Sequence, residues 1–441
     1  RQRQMCIRDS SLTDMSAPVI GIASRTQTPK GLRLHIGLFG RRNAGKSSLI
    51  NALTNQKIAI VSDVPGTTTD PVEKACELAP IGPVVFIDTA GVDDVGELGG
   101  LRTERSLAVL GWVDVALIVC DAKALTESEL ELIRTVKSTA TPTVVVLNKA
   151  DTADAKELIA TQEQVRSLGY EPVTVCASQK LNIDAVREAI VKLAQNAVEP
   201  DLPLLGDLVH PGDTVMLVTP IDTGAPKGRM ILPQVQAIRE VLDADAKCIV
   251  VRENRLAETL TNEKEPPAFV VTDSQVVQSV VAQTPKTIPV TTFSIQMAYS
   301  KCDLVEMARG AAMIDFLRPG DKVMICETCS HHPQPDDIGR KKLPRWLDKK
   351  VGGELDIEVV VGKDFPGDLT PYKLILQCGG CVVTRRHMLT RLAQAKRQNI
   401  PMTNYGVAIS HLQGVLERAL ELHPKALKAF HEAREIFANH F

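Results

Sequence analysis

The chain has 441 residues, 44% of them hydrophobic and 24% charged, with a formal net charge of −2. That length exceeds one ordinary core and calls for about three domains. The near-neutral charge excludes a general nucleic-acid binder, which carries a basic surplus, and 3% aromatic residues leave little for base stacking.

Residues 1–32 read as an extension, disordered or in part extraneous. RQRQMCIRDS has no apolar stretch of the signal-peptide kind, and Met15 is taken as the start. No apolar run approaches the roughly 18 residues of a membrane span. Ten cysteines at this length are not a disulfide framework, and C-x-x-C pairs in a reducing compartment bind metal or do redox chemistry. A cytoplasmic location is expected, with no membrane and no nucleic-acid partner.

Between residues 33 and 197 apolar runs alternate with helical patterns. LHIGLF, VVFIDT, VALIVCD, TVVVLN and EPVTVCAS read as buried strands, and ESELELIRTVKS and IDAVREAIVKLAQ as helices. The alternation predicts an α/β fold with a mainly parallel sheet covered by helices.

After the first strand stands GRRNAGKS, residues 40–47, followed by the helical SSLINAL. This is the phosphate-binding loop in its required strand-to-helix context. Gly40 and Gly45 let backbone N–H groups face phosphate without a Cβ between them. Asn43, Ala44 and Ser48 belong to the same lining. Lys46 neutralises β- and γ-oxygens, Ser47 ligates Mg²⁺, and the helix start adds favourable partial charge.

Four further elements follow in order. PGTTTD supplies Thr68, which closes over Mg²⁺; DTAG supplies Asp88 for the metal and the Gly91 N–H for the γ-phosphate. NKAD supplies Asn148, Lys149 and Asp151, whose carboxylate accepts from guanine N1 and N2. Adenine lacks that donor pair and would leave the carboxylate unpaired. CAS places the Ala177 N–H on guanine O6. The five elements define a GTP-binding domain, with Lys46, Thr68 and Gly91 nearest the chemistry. Val92 stands where many small GTPases carry the glutamine that orients water, so another group does so or hydrolysis is slow. Asp93 and Glu97 are the nearby alternatives.

The stretch NAVEPDLPLLGD, residues 196–207, reads as a linker. A second α/β unit spans 205–296. DTVMLVTP, KCIVVREN, PPAFVVTD and PVTTFSI read as strands, and PQVQAIREVLDA and SQVVQSVVAQTP as helices. TGAPKGRM is a solvated turn or an anion-binding loop. No internal repeat is evident.

The third unit spans 299–441. It opens on the helical CDLVEMARGAAMIDFL. Strand DKVMICE leads to CETCSHHPQPDD and strand YKLILQC to CGGC. GRKKLPRW between them reads as a solvated loop, and HPKALKAFHEAREIFANHF as a terminal amphipathic helix. Two strand ends converging on one centre can build a metal site. Cys326, Cys329, Cys378 and Cys381 have the C-x-x-C spacing of structural zinc. One pair alone could serve as a redox disulfide, and an iron–sulfur cluster is the third reading. Cys76, Cys120, Cys176, Cys248 and Cys302 read as core residues, and His332 and His387 as structural.

Two resemblances sharpen this. The GTP-binding domain resembles the potassium-activated GTPases related to the tRNA-modification enzyme MnmE, which implies K⁺ at Asn43 and slow, cation-stimulated hydrolysis. Nearly the whole chain resembles the HydF family of FeFe-hydrogenase maturation GTPases, through the three-domain order, APKGRMILPQVQ, CSHHP, CGGC and TNYGVAIS. That resemblance implies a dimerisation domain in the middle and a 4Fe–4S cluster held by Cys329, Cys378 and Cys381. It implies a scaffold or carrier role for the two-iron precursor of the hydrogenase site. The partners would be two radical-SAM enzymes and the apo-hydrogenase. His331, Asp336, Cys326 or an exogenous group would hold the fourth iron. Many family members carry His just before CxxC; here it is Gln377, a poor iron ligand. The alternative is an RNA- or ribosome-associated GTPase with a structural zinc module.

Overall fold

The computed structural model describes residues 29–54, 72–91, 106–139, 141–196, 202–221, 230–328 and 337–440. Among them three sheets form, ordered β2-β3-β1-β4-β5-β6, β10-β9-β7-β8 and β12-β11-β13-β14.

The first sheet comprises β1 (Leu34–Phe39), β2 (Val72–Leu78), β3 (Gly82–Asp88), β4 (Val115–Asp121), β5 (Thr143–Asn148) and β6 (Val173–Thr174). All pairings are parallel except β2 with β3. β4 is buried along its whole length, as a parallel strand covered on both faces must be. Capping boxes start two covering helices, Thr126 with Glu129 before Glu127–Ser138 and Asp154 with Glu157 before Ala155–Ser167. The antiparallel β2 is not evident from the sequence, because VEKACEL, at a sheet edge, mixes apolar and charged residues without strict alternation. EPVTVCAS is a strand only over Val173–Thr174.

The second sheet comprises β7 (Thr214–Val218), β8 (Lys247–Val251), β9 (Phe269–Thr272) and β10 (Val290–Thr292). The third comprises β11 (Lys322–Glu327), β12 (Asp356–Val361), β13 (Leu374–Gln377) and β14 (Met402–Asn404). Both are parallel throughout. The end of the expected linker is packed: Glu240 accepts N–H bonds from Leu204, Leu205 and Gly206, and both leucines are fully buried. PVTTFSI is strand only to Thr292, whose hydroxyl caps a helix beginning at Phe293. GRKKLPRW is helical over Ile338–Val351 instead of a loop, because Leu343 and Leu347 bury one face. Cys76 and Cys248 are half-buried instead of core.

An internal repeat, missed in the sequence, is plain in the topology. In its own chain order each of these two sheets runs second, first, third, fourth. The matching segments are PGDTVM and PGDKVM at Pro211 and Pro319, GRMILP and GRKKLP at Gly228 and Gly339, and IPVT and IPMT at Ile288 and Ile400. The turns agree atom for atom: His210 N donates to Asp213 Oδ2 and Arg318 N to Asp321 Oδ2, both at 2.8 Å. After the last strand, Thr292 and Asn404 each cap the next helix, at Ile295 N and Val407 N.

Candidate functional site: a phosphate-binding loop and a sulfur-lined crevice

In an open parallel sheet the chain leaves two neighbouring strands in opposite directions at a switch point, and ligands bind beyond the strand ends there. β1, flanked by β3 and β4, delivers the phosphate-binding loop. Lys46 Nζ bonds the carbonyls of Gly40 and Arg41 at 2.9 and 3.0 Å. Ser47 Oγ donates to Asp88 Oδ2 at 2.9 Å, so the two expected Mg²⁺ groups stand together. Asn43 adopts the left-handed conformation, which asparagine tolerates.

The guanine-selective elements brace this loop. Asn148 Nδ2 donates to Ala44 O at 2.9 Å and Asn148 Oδ1 accepts from Ala177 N at 3.0 Å. A Cβ at Gly45, whose φ is +93°, would come within 2.1 Å of Asn148 Nδ2, so the close approach requires glycine. Asp151 accepts from Cys176 Sγ at 3.0 Å and Gln179 Nε2 at 3.4 Å. Cys176 is thus buried and also touches the expected base-reading carboxylate. Asp121, at the end of β4, pairs with Arg41 at 3.2 Å and Lys149 at 3.3 Å. It escaped the sequence reading because an aspartate ending a strand belongs to no motif used there. Ser48 lies in the first turn of the helix Lys46–Thr54, and Gly91 follows β3. Thr68, Val92, Asp93 and Glu97 lie outside the described residues.

The third sheet has its switch point between β11 and β13, the two strands that lead to the thiols. Cys378 N donates to Cys326 O at 2.9 Å. Cys378 Sγ faces Thr328 N and Thr328 Oγ1, both at 3.2 Å, and Gln377 Nε2 at 3.5 Å. Cys378 and Cys381 are free, half-buried thiols. Burial pushes the Cys381 thiol up to about 11, and the charge of Cys378 adds to this against the opposing Lys301. Cys326 is fully buried among apolar side chains, and burial pushes its thiol up to about 12. Gln377, fully buried, accepts from Arg391 Nη1 at 2.9 Å.

Cys329, His331, His332 and Asp336 lie outside the described residues. Among the described residues no group of three or more His, Cys, Asp or Glu is arranged for a metal ion. The groups that are described fit a thiolate-held cluster. Sulfur ligands of such clusters accept N–H and O–H bonds, and Cys378 Sγ is surrounded by them. Tyr405 Oη is buried with no partner among the described residues. Burial raises its pKa well above the usual phenol value, and the charges of Cys378 and Glu327 act in the same direction. His387 is structural, as expected: it is buried and stacks on Trp112, and burial lowers its pKa well below the usual value.

Fold and site define a P-loop GTPase domain followed by two duplicated α/β domains, the last with two half-buried thiols just beyond β13. Sequence models described as hydrogen maturase F dimerization domain and hydrogen maturase F tetramerization domain match residues 204–302 and 305–422, and one described as 50S ribosome-binding GTPase matches 35–149. The chain belongs to the hydrogen maturase F, or HydF, family of hydrogenase-maturation GTPases. A chain of RNA-associated GTPase plus zinc module is not favoured, because both regions after the GTPase domain match HydF domains.

Relatives of the first domain include the tRNA modification GTPase MnmE of Trichormus variabilis, 38% identical over 167 residues, 37% of this chain and 34% of that protein. GTPase Der of Wolinella succinogenes is 34% identical over 172 residues, again 37% of this chain and 36% of the relative. The chain thus spans about a third of the length of these curated relatives. Aquifex aeolicus Era bound to GDP.AlF4- matches 52% of this chain and 97% of its own at 20% identity, with a TM-score of 0.32. Among the described residues no helix is long and apolar enough to cross a membrane.

Proposed function

We propose that the chain hydrolyses GTP slowly and carries, on Cys329, Cys378 and Cys381, a 4Fe–4S cluster on which the two-iron precursor of the FeFe-hydrogenase site is held for delivery. One observation carries the cluster reading. Thr328, covalently the neighbour of Cys329, has its amide N and its hydroxyl 3.2 Å from Cys378 Sγ. The carboxyl ends of β11 and β13 therefore lie side by side at one switch point, which supports a ligand set shared between them. Three thiolates leave one iron open to an exchangeable ligand, where four would close the site. Cys326 faces the apolar core, which leaves His331, Asp336 or an exogenous group as the ligand proposed for that position.

In the GTPase domain, Lys46 and the loop amides hold the phosphates, while Ser47, Asp88 and Thr68 hold Mg²⁺. These groups stabilise charge developing on the γ-phosphoryl, with the Gly91 N–H beside it. Asp151 and the Ala177 N–H select guanine. Asn43 is the K⁺ ligand that the likeness to MnmE supports.

The molecule works in the cytoplasm as a homo-oligomer, in line with the two family descriptions. β8 is an edge strand, and Val235, Leu242 and Val250 of the middle domain are 49%, 58% and 42% exposed. Val250 lies on that edge strand and Val235 and Leu242 on the helix Leu232–Asp243 before it, and exposed apolar side chains beside an open sheet edge favour pairing with another copy. Two radical-SAM enzymes would supply the precursor and apo-hydrogenase receive it. A maturation assay tests this reading. The loaded wild-type chain should activate apo-hydrogenase and the Cys329→Ser chain should fail. Equal activation by both would remove the carrier role.

A further inference from the structure

Arg391, on the helix Arg385–Arg397, is 2% exposed. Its guanidinium donates from Nη1 to Gln377 Oε1 at 2.9 Å, and from Nη2 to the carbonyls of Gly362 at 2.9 Å and Asp364 at 3.2 Å. Phe365 lies under it, 5.0 Å from Cζ to the ring centroid. Arginine does not lose its proton in proteins, so a full positive charge is buried here. Among the described residues it makes no ion pair, and the Asp364 carboxylate is itself exposed. A buried charge with only neutral partners is costly. On the far side of Gln377 lies Cys378, whose Sγ the Gln377 amide reaches at 3.5 Å.

The internal repeat supplies a control within the same molecule. Asp273 N bonds Val218 O as Cys378 N bonds Cys326 O, so Thr272 and Asp273 occupy the places of Gln377 and Cys378. Among its described residues that copy has no thiols at the carboxyl ends of its strands and buries no arginine. The helix that follows buries Val277 and Val280 instead. The topology therefore does not require Arg391.

We infer that Arg391 is the buried countercharge of the thiolate-held cluster, positioned through Gln377 and raising the cluster's reduction potential. The inference rests on the cluster reading above. Three thiolates on an oxidised 4Fe–4S cluster leave a net negative charge, and one electron from dithionite adds another. A fixed positive charge nearby favours that reduced state, and the Gln377 N–H on sulfur acts in the same sense.

The test uses the full chain reconstituted anaerobically, with iron and sulfide assay and an EPR-monitored dithionite titration. Arg391→Met should shift the reduction equilibrium about tenfold against the reduced state, about 59 mV more negative for one electron. Gln377→Glu is isosteric, gives Arg391 a carboxylate partner and removes the N–H on sulfur, so its potential should fall in the same direction. It decides the matter if Arg391→Met loses the cluster. Unchanged midpoints at wild-type iron and sulfide content would overturn the inference and leave the cluster reading standing. Wild type without inorganic sulfide would overturn both.

Discussion

Lys363 of the third domain stands over the ring of Trp112 in the GTPase domain, its ammonium 3.3 Å from the centroid. It also pairs with Glu73 on β2. Trp112 in turn stacks on the buried His387 at 6.5 Å, and Arg386 Nη2 donates to Thr141 Oγ1 at 3.0 Å. In sequence, Glu73 follows the segment with Thr68, and Trp112 follows the segment after DTAG. The helix bearing Arg386 and His387 also bears Arg391. Strand β2 and Trp112 of the GTPase domain thus share one packed interface with Lys363 and the helix that bears Arg391.

Lys363→Ala removes the ion pair and the cation–π contact, together worth on the order of 1–2 kcal/mol when partly desolvated. Wild type should bind apo-hydrogenase with different affinity in GTP and in GDP. In Lys363→Ala that ratio should fall toward one, by up to about tenfold. Titration calorimetry with each nucleotide reads it. A ratio untouched by the substitution would show that this contact transmits nothing.

Asp151→Asn replaces the carboxylate proposed above to accept two guanine hydrogen bonds. Bonds to a charged group contribute about 1.5–3 kcal/mol, so GTP should bind roughly ten- to a hundredfold more weakly. Iron and sulfide content should not change. Loss of both functions would contradict separate domains.

Gly339 lies against Tyr405 and Glu327. A Cβ there would come within 2.4 Å of Tyr405 Oη and 2.5 Å of Glu327 Oε1. Gly339→Ala should displace one of them, at a cost of about 1–3 kcal/mol. The EPR line shape of the cluster should change, while GTP hydrolysis stays within about twofold of wild type.

His423 is buried, bonds Gln296 through Nε2 at 2.9 Å, and is lowered by burial to about 4, with Asp207 opposing. The folded value lies below the ordinary 6.5, so the unfolded chain takes up the proton first. This contribution to stability is complete above pH ~6.5 and declines as pH falls toward ~4, by about 3 kcal/mol at most. His387, also lowered by burial, adds in the same direction. Urea unfolding between pH 7 and 4 should show the decline, and His423→Gln should flatten it.

The phosphate-binding loop, NKAD and CAS were legible because GTP dictates both their residues and their order, and a strand such as VALIVCD is too uniformly apolar to be elsewhere than inside. CGGC stood out by its C-x-x-C spacing, and both its cysteines are half-buried just after β13. Arg391 and Gln377 were not legible, since a basic residue in RRHMLTRLAQAKR and an amide before a cysteine look like ordinary surface and strand. Only packing shows that one is buried against the other. The repeat escaped because its matching segments are short and separated by unlike stretches, whereas hydrogen-bonded turns preserve them. GRKKLPRW misled by its charge: Lys341 and Arg345 stay exposed while Leu343 and Leu347 of the same helix face the core.

The most direct test is iron and acid-labile sulfide in the anaerobically reconstituted wild-type chain, followed by EPR after dithionite, with Cys378→Ser alongside. Wild type should hold iron and sulfide in equal amounts and show a reduced 4Fe–4S signal, while Cys378→Ser lacks both and still hydrolyses GTP. Stoichiometric zinc in place of iron and sulfide, or a cluster undiminished in Cys378→Ser, would contradict the account.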